Sequence, residues 1–337
     1  MPKPIAPKCA RCARTCCLIV LVISVSALAG SSARIKLAPK YLPGETFTYR
    51  VDSTTTTTGK ITTAILNPEG ATKSSVSIHL LVRFDALDVP ANSAPGSAHF
   101  RAKYEKSTAS SQSDAFDPAQ PSASALYSRL QSRSFEFTID PDAKIANISG
   151  LQDIFRDPSA QQSELSWLGE LQPAAAFPLE GIAIGQKWKS ERPLENAPFS
   201  DLVSRSESTY LRDEPCHASP GTGAPSNQGG EAPETCAVIL TRFTISRRGS
   251  SHSDATAEPY LRNGLRVTGS INGSGESLDY ISPASGFLVR STQTSDQQMD
   301  YTVATATGGS TVHNQRHVQS QSEINLASFP AMAPAKR

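Results

Sequence analysis

The sequence predicts an all-β protein, mainly antiparallel, with its strands in one large curved or barrel-like sheet and one short helical segment near residues 151–172. Three observations carry this expectation. Apolar residues recur at every second position in many separate runs, the period of a half-buried strand. Ser (45) and Thr (26) make up about a fifth of the 337 residues, a bias that suits strands and turns. The 24 Pro and 21 Gly are spread along the chain and punctuate those runs.

The chain opens on a different pattern. Lys3, Lys8, Arg11 and Arg14 precede the apolar run 16–29, and Ala27-Leu28-Ala29 has the small-x-small form of a cleavage site. Residues 1–29 therefore read as a signal peptide, with the cut after Ala29. Leu18 to Ala29 would span about 18 Å as a helix against a hydrocarbon core of roughly 30 Å, too short for a retained anchor. Export to the periplasm or beyond follows, with no transmembrane anchor after cleavage. The leader holds four cations and no anion, so its loss moves the formal charge from +1 to −3. That balance excludes a strongly basic nucleic-acid binder.

Strands follow in order. Phe47, Tyr49 and Val51 alternate, as do Val76, Ile78, Leu80, Val82 and Phe84, then Phe100, Ala102 and Tyr104, then Phe135, Phe137 and Ile139. Polar residues opposite them indicate antiparallel sheet. Later candidates are 188–191, 203–211, 237–247, 265–271, 277–281, 287–294, 299–306 and 312–326. Leu151, Ile154, Phe155, Leu165, Leu168 and Leu171 break the alternation at intervals of three or four, the helical spacing. Segments 106–125 and 213–235 are low in complexity and read as lacking fixed structure. Residues 137–145 resemble 279–287, strand, Pro turn and return strand in each. The expected organisation is one elaborated β domain over 30–326, or two similar halves at about 40–175 and 176–326, and a disordered tail at 327–337.

Of six cysteines, Cys9, Cys12, Cys16 and Cys17 fall in the leader. Cys216 and Cys236 remain, a pair that in an oxidising compartment reads as one disulfide closing a Pro/Gly/Ser-rich loop.

Three short stretches carry a resemblance: Tyr41-Leu42-Pro43-Gly44-Glu45-x-Phe47-x-Tyr49, then Phe177-Pro178 with Ile184-Gly185-Gln186-Lys187-Trp188, then Ile281-Ser282-Pro283 with Gly286-Phe287. In this order the chain resembles an uncharacterised family of secreted bacterial all-β proteins, itself similar to the curved-sheet lipoprotein carriers of the envelope. The resemblance implies a concave antiparallel sheet holding an apolar ligand. It transfers no site residue.

No catalytic, cofactor-binding or metal-binding residue is assigned. There is no Gly-x-Ser-x-Gly and no Ser-x-x-Lys. His313 and His317 lie about 13 Å apart if the segment is a strand, too far for one metal, and read as solvated surface residues. Asp140-Pro141-Asp142 lacks the downstream ligands of a calcium loop and reads as a turn. Gly269, Gly273 and Gly275 with Ser270 and Ser274 read as a Gly/Ser hairpin rather than a phosphate cradle. Glu191/Glu195 and Asp296/Asp300 are the carboxylate pairs that a hydrolase could assemble. The expected function is an exported non-enzymatic protein that binds an apolar or amphipathic envelope ligand, such as a lipid, or a protein partner. The alternatives are a cell-surface structural or interaction protein and, behind it, a hydrolase with spatially assembled carboxylates.

Overall fold

The computed structural model describes residues 34–328 apart from 38–39, 64–71, 91–92, 94–95, 115–121, 141–144, 156–167, 169–176, 179, 195–196, 217–233, 251–253, 308 and 310. The leader 1–29, residues 329–337 of the tail, and Leu165, Trp167 and Leu171 of the helical stretch lie outside the described residues.

Eleven strands form one antiparallel sheet: β1 (Thr46–Thr63), β2 (Thr72–Leu87), β3 (Ala98–Ser113), β4 (Ser134–Ile139), β5 (Ile145–Ser149), β6 (Lys187–Pro193), β7 (Leu202–Pro215), β8 (Thr235–Arg247), β9 (Leu265–Ile281), β10 (Leu288–Thr305) and β11 (Thr311–Ser328). Their order is β5-β4-β3-β2-β1-β11-β10-β9-β8-β7-β6. Two meanders, β1–β5 and β6–β11, thus join where the first strand pairs with the last, from Thr48 opposite Ser328 to Thr63 opposite Val312. The sheet is open, with β5 and β6 at its edges. Backbone bonds between Ile35 and Ile182 tie the segment before β1 to the segment before β6.

The strands are long. β1, β10 and β11 have 18 residues each, about 60 Å at the rise of an extended chain. Their apolar residues occupy only part of that length. On one face Phe47, Tyr49, Val51, Leu80, Val82, Phe84, Phe100, Tyr104, Phe135 and Phe137 form an aromatic core at one end of the sheet. Phe47 stacks on Phe84 at 5.3 Å, and Tyr41 meets the edge of Phe100 at 4.6 Å. The buried Tyr49 hydroxyl donates to the Leu288 carbonyl at 2.8 Å. Register shifts at Thr48/Tyr49, Leu81/Val82, Tyr210/Arg212 and Leu288/Arg290 all fall at this end, where a bulge adds the local twist that wraps a sheet round its core.

At the other end of β7–β10 a smaller core gathers Phe199, Leu202, Ile245, Val267 and Ile271. Arg247 closes it. Its guanidinium sits 4.3 Å over the Phe199 ring and pairs with both oxygens of Asp201, at 2.8 and 3.1 Å.

Three short helices are described: α1 (Ala123–Ser128), α2 (Leu151–Ile154) and α3 (Glu258–Arg262). Ser122 caps α1 by accepting from the Ala125 amide. α2 is a single turn, and Leu168, also helical, is buried in the aromatic core.

Several boundaries differ from the sequence reading. Residues 106–113 belong to β3, 213–215 to β7 and 235 to β8, although all were expected to lack fixed structure. Ala327 and Ser328 continue β11 rather than opening the tail. The Gly/Ser hairpin at 269–275 does not exist, because 265–271 and 277–281 are one continuous strand, β9. The physical reason is shared: backbone ladder bonds hold these Ser- and Gly-rich stretches, and the partner strand supplies the apolar grip. Opposite β3, for example, Ala109 faces Ile78 and Ser111 faces Val76. The β9 glycines allow close approach. A Cβ at Gly275 would collide with the Thr294 carbonyl and with the Phe243 ring, which lies in its place.

Candidate functional site

Between the two cores the strands change chemistry. On the core face the alternation continues, but its residues become Ser53 and Thr55 on β1, Ser320 and Ser322 on β11, Ser295 on β10, Ser277 on β9 and Ser206 and Ser208 on β7. They bond to one another: Thr55 to Ser320 at 3.1 Å and Ser208 to Thr241 at 2.8 Å. Asp279 lies at the junction with the aromatic core. Burial pushes its carboxyl up, against the Ser291 hydroxyl (2.6 Å) and the Ser277 hydroxyl (3.0 Å) that donate to it.

The opposite face is polar over most of its length; its apolar patch is where Val238, Leu240, Leu278 and Tyr280 pair across β8 and β9 and Tyr280 packs on Cys216, Cys236 and Val289. Each described histidine pairs there with a carboxylate of the neighbouring strand: His79 with Asp52 at 2.7 Å, His99 with Glu136 at 3.5 Å, His313 with Asp300 at 2.7 Å and His317 with Asp296 at 2.7 Å. In its middle this face forms a trough of about 740 Å³, built from Thr54 and Thr56 (β1), Gln319 and Gln321 (β11), Thr294 and Asp296 (β10), Ser274 and Glu276 (β9), and Arg242 and Thr244 (β8). A second hollow of about 360 Å³ continues along β10 and β11, lined by Thr58, Ser270, Asn272, Gln298, Asp300, Gln315 and His317 among others. A membrane-barrel wall carries an apolar outward band about 25 Å tall. Around the trough, ion pairs, hydroxyls and amides occupy this face instead.

The wall of the trough has a repeat. Asp300 accepts from His313 and from Gln315 (3.2 Å), and four residues earlier Asp296 accepts from His317 and from Gln319 (3.0 Å). The histidines read as solvated are thus bonded, and the strand keeps them apart as expected. Among the described residues no group of three or more His, Cys, Asp or Glu could hold a metal ion. Asp300 is held below the usual carboxylate range by His313 and then Gln315, and Asp296 by Gln319 and then His317. A carboxylate pair that cleaves glycosides needs one member raised to act as the acid. Here both are lowered.

The other sequence candidates separate. Glu191 lies on edge strand β6, where Arg248 and Arg205 clamp its carboxylate and lower it. Glu195 and Asp142 lie outside the described residues, so neither Glu191/Glu195 nor Asp140/Asp142 is observed as a pair. Cys216 and Cys236 form a disulfide that clusters with Val289 and Tyr280. The aromatic core is filled: the hollow among Tyr41, Phe47, Tyr49, Phe84, Phe100, Phe137, Ile139 and Leu168 holds about 10 Å³, roughly the room of a single water at most.

Sequence reasoning missed the trough because its walls come from five strands whose order it did not supply. One signal was present, since the Asp296/Asp300 spacing of four matches that of His313/His317 on the adjacent strand.

No protein-family model matches the chain, and no curated protein matches its sequence. Among solved structures, lipovitellin, described for its lipid-protein interactions, aligns at TM-score 0.45 and 12% identity, covering 88% of this chain. The chain spans about a quarter of that protein, 26% of its length. The outer membrane protein OprG from Pseudomonas aeruginosa aligns at TM-score 0.17 and 7% identity over 84% of this chain and 96% of its own. An outer membrane channel from Pseudomonas putida F1 aligns at 0.20 and 8%, over 86% and 97%. At these scores the likeness defines neither fold nor function. Among the described residues no helix is long and apolar enough to cross a membrane.

Proposed function

We propose that this chain is an exported, non-catalytic binding protein whose sheet presents the polar trough to an extended partner in the cell envelope. The observation that carries this reading is the contrast between the two faces. The aromatic core holds about 10 Å³, while the opposite face offers about 740 Å³ walled by five adjacent strands. A lipid or apolar small molecule held against the aromatic end would need a cavity of several hundred Å³. Of the readings the sequence raised, a surface interaction with an envelope component therefore fits better than an enclosed apolar ligand. The cleaved leader 1–29, a single domain over 30–326 and an extracytoplasmic location belong to the same proposal, and the Cys216–Cys236 bond suits such an oxidising compartment.

Co-sedimentation of the mature protein with cell-envelope fragments tests it. Thr294→Arg, which places a long cation in the trough, should abolish sedimentation. Thr108→Arg, an exposed site on β3 of the same face and outside the trough, should leave it intact. Equal sedimentation of the two variants would remove the trough from the function.

A further inference from the structure

We infer that the trough recognises a neutral polyhydroxylated polymer, a glycan chain; this rests on the binding reading above. The lining has the chemistry for such a chain. Thr54, Thr56, Thr244, Ser274 and Thr294 offer hydroxyls that both donate and accept, and Gln319 and Gln321 offer amides that do the same at fixed geometry. Phe243 and Met299, which also border the hollows, pack their side chains into the second core on the other face. Recognition there is by hydrogen bonds.

Charge points the same way. Arg242, the cation of the larger hollow, is paired with Glu276 at 3.6 Å, and Asp296 is bonded to His317 and Gln319. The larger hollow therefore has no unpaired cation for a sulfated, phosphorylated or uronic-acid polymer. Arg316 at the second hollow stands at a core-face position opposite Met299, and Glu276, Asp296 and Asp300 would repel an anion.

The lining also keeps unused acceptor capacity. Both bonds to Asp296 fall on Oδ2, so Oδ1 accepts nothing among the described residues. Gln319 and Gln315 each donate through Nε2 to their aspartate, which fixes the amide plane and leaves Oε1 to accept. At Asp296 an open carboxylate oxygen lies beside an oriented amide oxygen, and at Asp300, where both carboxylate oxygens already accept, the oriented amide recurs four residues along, an arrangement that suits hydroxyls on successive units of a chain. The two hollows extend over Gln321 to Gln315 of β11, about 20 Å at the strand rise, longer than one sugar. A side-chain lattice of this kind binds each unit weakly and gains from repetition.

Affinity electrophoresis of the mature protein through native gels containing dextran, laminarin or galactomannan, with polygalacturonate as the anionic control, tests the inference. At least one neutral polymer should retard the wild type and polygalacturonate should not. Thr294→Ser, which keeps the hydroxyl, should retain the retardation. Thr294→Arg should weaken it at least about tenfold, equivalent to ~1.4 kcal/mol, with an unchanged melting temperature showing that the variant is folded. Retardation by polygalacturonate alone, or equal retardation of Thr294→Arg, would overturn it. If no neutral polymer retards the protein while envelope sedimentation still depends on Thr294, the glycan assignment falls and the trough stands; if sedimentation is also indifferent to Thr294→Arg, both fall.

Discussion

The two halves of β1 make different proteins of one strand. From Phe47 to Val51 every second residue is buried in the aromatic core; from Ser53 to Thr57 the same face carries hydroxyls that are only half-buried. β11 changes in the same place, from Ile324 to Ser322 and Ser320, and β9 and β10 follow, whereas β2 stays apolar through Ile78 and Val76. Backbone pairing is continuous through the change, so strand geometry is indifferent to it. What differs is the source of stability: burial and ring packing at one end, ladder bonds and small-residue contacts in the middle. The hydroxyl half is thereby released from core packing and can shape a surface.

The sharpest way to break that contrast is at the aromatic end. Phe100→Ala removes a fully buried ring touching Tyr41, Phe47 and Phe137, and denaturant unfolding should show a loss of about 3–5 kcal/mol. Reducing Cys216–Cys236 comes next. That bond closes a sequence separation of 20 residues, worth about 3 kcal/mol in the chain-entropy account, and unfolding with and without reductant measures it.

Carboxylates sharpen the contrast through opposite signs. Asp279 on the core face is raised by burial, so it costs the fold nothing in acid, and stability falls as pH rises from the ordinary carboxylate range through its raised value. Asp279→Asn should remove that fall, seen as a flatter melting temperature between acid and neutral pH. Asp296 and Asp300 on the trough face are lowered, so their contribution is present above the unfolded value and is lost as pH falls through the depressed one. Asp296→Asn should flatten only the acid limb. Smallest of all, Thr55→Ala, which deletes the bond to Ser320 in the hydroxyl half, should cost at most ~1 kcal/mol in the same unfolding assay. A cost near that of Phe100→Ala would show that the middle is a core after all.

The same contrast explains what the sequence made legible. Wherever apolar residues alternate, as in Val76 to Phe84 or Phe135 to Ile139, strand and inward face could both be read. Where Ser, Thr, Gln and Gly fill both faces, as at 106–113 and 269–275, the period loses its apolar mark, and strand looks like loop or hairpin. Glycines that read as a turn prove to be places where β10 and Phe243 come close to β9. The helical stretch was legible as spacing, and its described part is the single turn α2 with Leu168 in the core. The trough could not be read, because Arg242, Ser274, Asp296, Gln319 and Thr54 become neighbours only through strand order and register.

The central claim is that the aromatic half holds the sheet together while the polar half binds. The most direct measurement follows two variants through two assays at a temperature where both are folded: thermal unfolding and envelope sedimentation. Phe100→Ala should melt at much lower temperature yet sediment like the wild type, and Thr294→Arg should melt like the wild type yet fail to sediment. Loss of sedimentation in Phe100→Ala while folded, with Thr294→Arg still bound, would contradict the account and move the binding site to the aromatic end.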